Sequence, residues 1–222
     1  MADHVKITWD APEDRKFEYG VSQGVFYGMD ENGAYTAAEA WNGLINVTDS
    51  PSGAESNKLW ADGIEYADLP SAEEYGASIE AYMYPDGFAA CDGSAQPVPG
   101  MYIGQQTRKK FGLSWRSEIG NANNPELGYK IHVAYGLRVT PSEQSHDTVN
   151  DNPDAETLSW DATGTPVPFS GYKPTCKLVF DSTVLGATKM AAVEKLLYGD
   201  GSTTDPSLPL PAALLAAIQA AA

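Results

Sequence analysis

The chain has 222 residues, 42% of them hydrophobic, enough for one large domain with a sizeable core. Its 21 glycines and 15 prolines exceed what a helical bundle tolerates and favour short strands joined by turns. The net charge is −16: residues 1–100 hold 18 acids against 4 bases and residues 101–222 hold 12 against 10, a balance that argues against a nucleic-acid binder, which needs a basic patch.

Residues 1–16 are polar and end in Glu13, Asp14, Arg15 and Lys16, which reads as an N-terminal arm. Residues 17–29 read as a strand with Val21, Val25, Tyr27 and Met29 on one side. Asn32-Gly33 is a hairpin signal, and the return strand is predicted to run from Tyr35 to Ile45. Asp49 to Ser56 is turn-rich and reads as a long exposed loop. Ser71 to Glu74 carry helix-capping chemistry, but Tyr75 to Pro85 alternates, setting Ile79, Ala81 and Met83 against Glu80, Tyr82 and Tyr84, and reads as a strand. A short helical turn is expected from Pro85 to Cys91.

Tyr129 to Val139 alternates throughout, with Tyr129, Ile131, Val133, Tyr135, Leu137 and Val139 on one face. Phe111 to Ile119 is its expected partner, followed by short strands at 157–162 and 177–182. Thr188 to Tyr198 reads as a helix with Met190, Val193 and Leu197 inward and Gly199 at its stop. The alanine-rich end, 212–222, is expected to be helical only if docked. The pattern predicts a mainly β fold of eight to ten strands: two packed antiparallel sheets, a sandwich or barrel, with one flanking helix and long loops. The division expected is an arm at 1–16, a sandwich domain at 17–200, and a linker and tail segment at 201–222.

Signs of chemistry are sparse. The sequence holds no phosphate-binding glycine loop, zinc-protease helix or nucleophile elbow. Its three histidines are dispersed: His4 in the arm, His132 on the polar face of a strand, His146 in a loop. Asp147 to Asp154 offers carboxylates and amides to a hard cation but lacks the glycine and bidentate glutamate of a calcium loop. Glu73 and Glu74 are adjacent rather than facing. Cys91 and Cys176 lack paired-cysteine spacing and read as inert thiols of a reducing compartment. The start of the chain shows no basic or apolar leader region, and no apolar run reaches about 18 residues, so a soluble cytosolic product without a membrane partner is expected. No catalytic residue, metal or cofactor is expected. The basic cluster Arg108, Lys109, Lys110 and Arg116 is expected to pair with acids, internally or on a neighbouring copy, with Arg108, Lys110 and Arg116 as the inter-subunit candidates.

Several ordered runs resemble the major tail protein, or tail tube protein, family of long-tailed phages. They include Gly24-Val25-Phe26-Tyr27, Trp41-Asn42-Gly43-Leu44, Glu80 through Phe88 and Cys91-Asp92-Gly93. Further runs are Ile103 through Arg108 with Phe111-Gly112-Leu113, Gly128 through His132, Lys173-Pro174-Thr175 and Leu208-Pro209-Leu210-Pro211. The resemblance marks Tyr27, Trp41, Gly43, Tyr84, Pro85, Phe88, Gly93, Phe111, Tyr129 and Trp160 as motif and core positions. It implies a non-enzymatic virion protein, assembled in the host cytoplasm, whose six copies close into a ring. Stacked rings would enclose a tape-measure protein, meet terminator and distal tail proteins, and pass DNA as non-specific cargo. The alanine-rich end departs from the family pattern. The alternatives are a tube subunit of a contractile injection system, a hydrolase with a dispersed site, and a carbohydrate-binding or adhesion sandwich. The last would use Trp41, Trp60, Trp115 and Trp160 as an aromatic platform.

Overall fold

A computed structural model describes residues 6–7, 9–146, 148 and 155–221. The first long strand, β1 (Lys16–Met29), turns back into β2 (Tyr35–Ala40) around Gly33, which takes φ +83°. Asp30 holds that turn by accepting from the Asn32 and Ala34 amides, both at 2.8 Å. The return strand stops short of its expected end. At Trp41–Gly43 the chain leaves the sheet, with Gly43 at φ +85°, and begins β3 (Leu44–Asp49) in a second sheet.

The stretch expected as a loop at 49–56 contains the short strand β4 (Ser52–Gly53) and leads into β5 (Ser56–Ala61) and β6 (Ile64–Pro70), and the residues with capping chemistry form no helix but the short strand β7 (Glu73–Glu74). Asp62 and Gly63, at φ +53° and +78°, close the β5–β6 hairpin, two left-handed residues in the tight turn that fits strand twist. Then follow β8 (Gly76–Ala81), a 3-10 turn at Asp86–Ala90, β9 (Ala95–Val98), β10 (Met101–Ile103), β11 (Phe111–Asn121), β12 (Gly128–Val139), β13 (Leu158–Thr163) and β14 (Lys177–Asp181). Because β8 ends at Ala81, the alternation expected to Pro85 breaks, leaving Met83 exposed and Tyr84 packed inward. Three helices finish the chain: α1 (Ser182–Leu185), α2 (Ala187–Tyr198) and α3 (Pro211–Ala220).

All strand pairs are antiparallel. One sheet runs β2-β1-β11-β12-β14; the other runs β3-β8-β13 and joins the first where Ala162 and Thr163 pair with Val139 and Arg138 of β12. β12 therefore belongs to both sheets, and Gly136 is the reason. At φ +61° it bulges the strand and reverses its alternation. Ile131, Val133 and Tyr135 point to the helices, whereas Leu137 and Val139 point between the sheets with Ala134. The single apolar face predicted for this strand is thus divided between two cores. β1 behaves likewise: irregularities flanking Ser22, with Gly20 and Gln23 at positive φ, put Val21 in the inter-sheet core and Val25, Tyr27 and Met29 in the other.

The inter-sheet core is aromatic. Phe88, fully buried, lies within 4.7–5.9 Å, centroid to centroid, of Phe26, Trp41, Tyr84, Phe111 and Trp160. The second core lies between the outer face of the first sheet and the helices, with Met190, Val193 and Leu197 of α2 on Tyr27, Ile131 and Tyr135. The alanine-rich end is helical because it is docked: α3 packs on α2 and buries Leu214.

Two substitutions test these packing arguments by denaturant unfolding. Phe88→Ala is expected to cost about 3–5 kcal/mol, because a fully enclosed ring leaves a cavity that rigid neighbours cannot fill. Gly136→Ala is expected to cost at least about 1 kcal/mol. Its Cβ would sit 2.5 Å from the Thr165 carbonyl oxygen, in a backbone conformation that L residues avoid.

Candidate assembly surfaces

The motif positions form the frame that holds the surfaces. Trp41, Tyr84, Phe88, Phe111 and Trp160 make the aromatic cluster, and Trp41 Nε1 donates to the Met83 carbonyl at 2.9 Å. Tyr27 is buried under α2 and donates to the Leu197 carbonyl at 2.9 Å. Burial pushes its hydroxyl far above the ordinary tyrosine range. Pro85 precedes the 3-10 turn and accepts from the Phe88 amide at 2.9 Å. Gly93 takes φ +79° with the Arg108 guanidinium carbon 3.1 Å from where a Cβ would lie. Tyr129 donates to Glu194 at 2.7 Å.

The basic residues separate into engaged and free. Arg108 Nη2 lies 3.7 Å from Asp92, whose carboxylate also accepts from Trp160 Nε1 at 3.1 Å. Burial raises the Asp92 pKa, opposed by these two donors. The Arg116 guanidinium lies 3.8 Å over the Tyr129 ring. Its Nε is 2.9 Å from Glu118 Oε1 without the alignment of a hydrogen bond, and Nη2 donates to Oε2 at 3.2 Å. Lys109 is exposed and Lys110 half-buried, and among the described residues neither has an acid within ion-pair distance.

Three kinds of surface are left open. The first is strand edges: among the described residues β14 pairs only with β12 and β3 only with β8, so each presents unpaired backbone groups. The second is the outer face of the β3-β8-β13 sheet. Register sets Asn46, Glu80 and Ser159 in one row and Thr48, Ser78 and Asp161 in the next, with Arg138 beside Thr163. Every one of these side chains is polar, and among the described residues no helix covers them, whereas α2 and α3 cover the first sheet. The third is the pair of projecting hairpins, β5–β6 and β9–β10. Of the tryptophans in the aromatic-platform reading, Trp41, Trp115 and Trp160 are buried and Trp60 alone is exposed, so no platform forms.

One end of the sandwich is closed by charge rather than by apolar packing. A cleft of about 470 Å³ opens there between β1 and β3. On its floor His132 stacks on Trp115 at 5.1 Å, and its Nε2 lies 3.0 Å from Glu18 Oε1 and 2.8 Å from Ser117 Oγ. A carboxylate only accepts, so Nε2 carries the proton and Nδ1, buried without a partner, is the bare nitrogen. Ser117 donates to the same carboxylate at 2.6 Å. Glu18 therefore sits on the serine side of the imidazole, where it cannot orient a base, and the trio is a clasp rather than a proton relay. Lys177 of β14 reaches Asp49 of β3, which also accepts from Tyr75 at 2.6 Å, tying the two sheets together.

The other candidate groups do not assemble. His146 meets Glu156 at 3.0 Å, both exposed; Glu73 and Glu74 are successive residues of β7. His4, and Asp147 to Asp154 apart from Thr148, lie outside the described residues. Cys91 and Cys176 are buried free thiols, and burial pushes Cys91 up to about 12.

The clasp predicts an acid-sensitive fold. Burial and then Lys177 lower the His132 pKa below its ordinary 6.5, against an opposing pull from Glu18. Burial alone would raise Glu18, but hydrogen bonds from Lys130 and Ser117 prevail and hold it at about 2. Both folded values are depressed, so both groups stabilise above their ordinary pKa and lose that contribution as pH falls. Urea stability is expected to fall as pH drops below 6.5, first through His132 and then, below 4.5, through Glu18. His132→Gln is expected to abolish the first part of the fall and keep the second. A variant profile identical to that of the wild-type chain would show that His132 binds its proton equally well in the folded and unfolded states.

No family model matches the sequence, and no curated protein matches it significantly. Among solved structures, the chain is similar to a subunit of the SPP1 tail tube, 14% identical over 72% of this chain and 76% of that one, with a TM-score of 0.41. It is similar to a chain of the sheath-tube complex of PVC, an extracellular contractile injection system in its extended state, at 11% identity over 72% and 88%, TM-score 0.33. It is also similar to a chain of the anti-feeding prophage baseplate, at 7% identity over 78% and 97%, TM-score 0.33.

Proposed function

We propose that this chain is the structural subunit of a phage tail tube: six copies close into a ring, and rings stack around a tape-measure protein and later pass DNA. The observation that carries the reading is the bare outer face of the β3-β8-β13 sheet beside open strand edges. A sheet face with no helix over it and no apolar side chain on it belongs against water. Unpaired edges on β3 and β14 call for further strands, and a ring of copies satisfies both at once, because edge pairing extends the sheets while the polar face turns inward. On that face Glu80 and Asp161 outnumber Arg138, so a passing polyanion meets hydroxyls, amides and net negative charge, and slides without sticking. The ordered sequence runs that resemble tail tube proteins agree with this role; Trp41, Tyr84, Phe88, Phe111 and Trp160 of the motif positions frame the inter-sheet core, and Tyr27 and Tyr129 the helix-side one.

In this reading the protein is not an enzyme. It works in the virion tail after assembly in the host cytoplasm, with tail terminator and distal tail proteins at the two ends of the tube.

Negative-stain microscopy of the purified chain is the direct test. The expected result is annular particles or tubes on the order of 100 Å across with six-fold class averages. A closed two-fold dimer, or monomers that persist to millimolar concentration, would sink the proposal.

A further inference from the structure

The β5–β6 hairpin has no role in the fold that carries it. All six residues of β5 are exposed, as is all of β6 except the half-buried Ala67. Yet its register makes it amphipathic. Asn57 pairs with Leu69, Leu59 with Ala67 and Ala61 with Ile64, placing the aliphatic side chains Leu59, Ala61, Ile64, Ala67 and Leu69 on one face. The other face carries Ser56, Lys58, Trp60, Glu65 and Asp68, joined by a Lys58–Glu65 bridge at 2.8 Å and a Ser56–Asp68 bond at 2.7 Å. Ile64 is 65% exposed and Leu69 55%. A two-stranded ribbon is marginal in water by itself, so an uncovered apolar face of this kind calls for a partner.

The charge on the same chain points to which partner. Residues 55–74 hold six acids and one base, a net −5. Residues 93–110 hold no acid and three bases, a net +3. That second stretch contains the β9–β10 hairpin, which exposes Val98, Met101 and Tyr102, and it leads directly into the two unpaired lysines. Arg108 is engaged with Asp92, whereas Lys109 and Lys110, which line a cleft with Asp30 and Glu39, have no acid within ion-pair distance among the described residues. One arm is thus apolar and acidic, the other apolar and basic.

We propose that the β5–β6 hairpin of one copy docks on the β9–β10 arm and the Lys109–Lys110 pair of a second copy. This rests on the self-assembly proposed above and names the surfaces that meet in it. The two surfaces are different, so the contact is heterologous and leaves a free donor and a free acceptor on every pair, as open-ended growth requires. The apolar faces supply the burial, and the charges set which surface meets which.

The test is a charge swap read by sedimentation and microscopy at matched concentration. Asp62→Lys with Asp68→Lys, and separately Lys109→Glu with Lys110→Glu, are each expected to lower the assembled fraction at least about tenfold, with an unchanged melting curve for the monomer. Mixing the two variants is expected to restore assembly in alternating order, because each altered hairpin then meets an altered arm and each native hairpin a native one. The chain carrying all four changes is expected to assemble again. Ile64→Glu is expected to block assembly in every one of these backgrounds. If the wild-type chain assembles and both swaps assemble equally well, the docking is wrong while the tube reading stands. A wild-type chain that forms no assembly overturns both.

Discussion

The rest of the structure depends on the reversal of strand direction-of-face at Gly136. A strand with unbroken alternation has one face for one core. With the bulge, β12 supplies Ile131, Val133 and Tyr135 to the helical side and Leu137 and Val139 to the inter-sheet side. The two sheets can then share a strand, the helices can cover one of them, and the outer face of the other is left bare. Gly136 is held in place from both sides, its amide by the Tyr35 hydroxyl at 2.8 Å and its carbonyl by the Thr165 amide at 3.0 Å.

Stability and assembly are assigned to different parts of the molecule. The large aromatic rings are spent inside, where Trp41, Phe88 and Trp160 form one cluster and exclude water. Several of the large apolar side chains left outside, among them Leu59, Ile64, Val98 and Met101, lie on the projecting ribbons, so covering them on assembly need not disturb the core. The same division holds for charge. Arg108 and Arg116 are engaged with acids of their own chain, whereas Lys109 and Lys110 have none within ion-pair distance among the described residues. The clasp of Glu18, Ser117, Lys130 and His132 sets polar groups beside Trp115 and Val47 at the edge of the inter-sheet core.

Much of this architecture is local and was legible in the residues alone. The period-two runs at 17–29, 111–119 and 129–139, the Asn32-Gly33 turn, and the 188–198 helix with its stop at Gly199 all follow from side-chain spacing and turn chemistry within a few positions. The Asp62-Gly63 pair carried an equally good hairpin signal. It marks the β5–β6 ribbon, whose side chains stand exposed.

What the tertiary structure alone decided is which way each residue faces and what it meets. A bulge adds one residue and inverts every side chain beyond it; at Gln23 it occurs without a glycine on that residue to announce it. The break at Trp41–Gly43, the inward turn of Tyr84 and the burial of three of the four platform tryptophans follow from strands meeting far along the chain. The partners of Arg108 and Arg116 follow from the packing and register of their surroundings. Periodicity records the spacing of side chains along one strand, but the identity of a face is fixed by what packs against it, and that is a property of the whole chain.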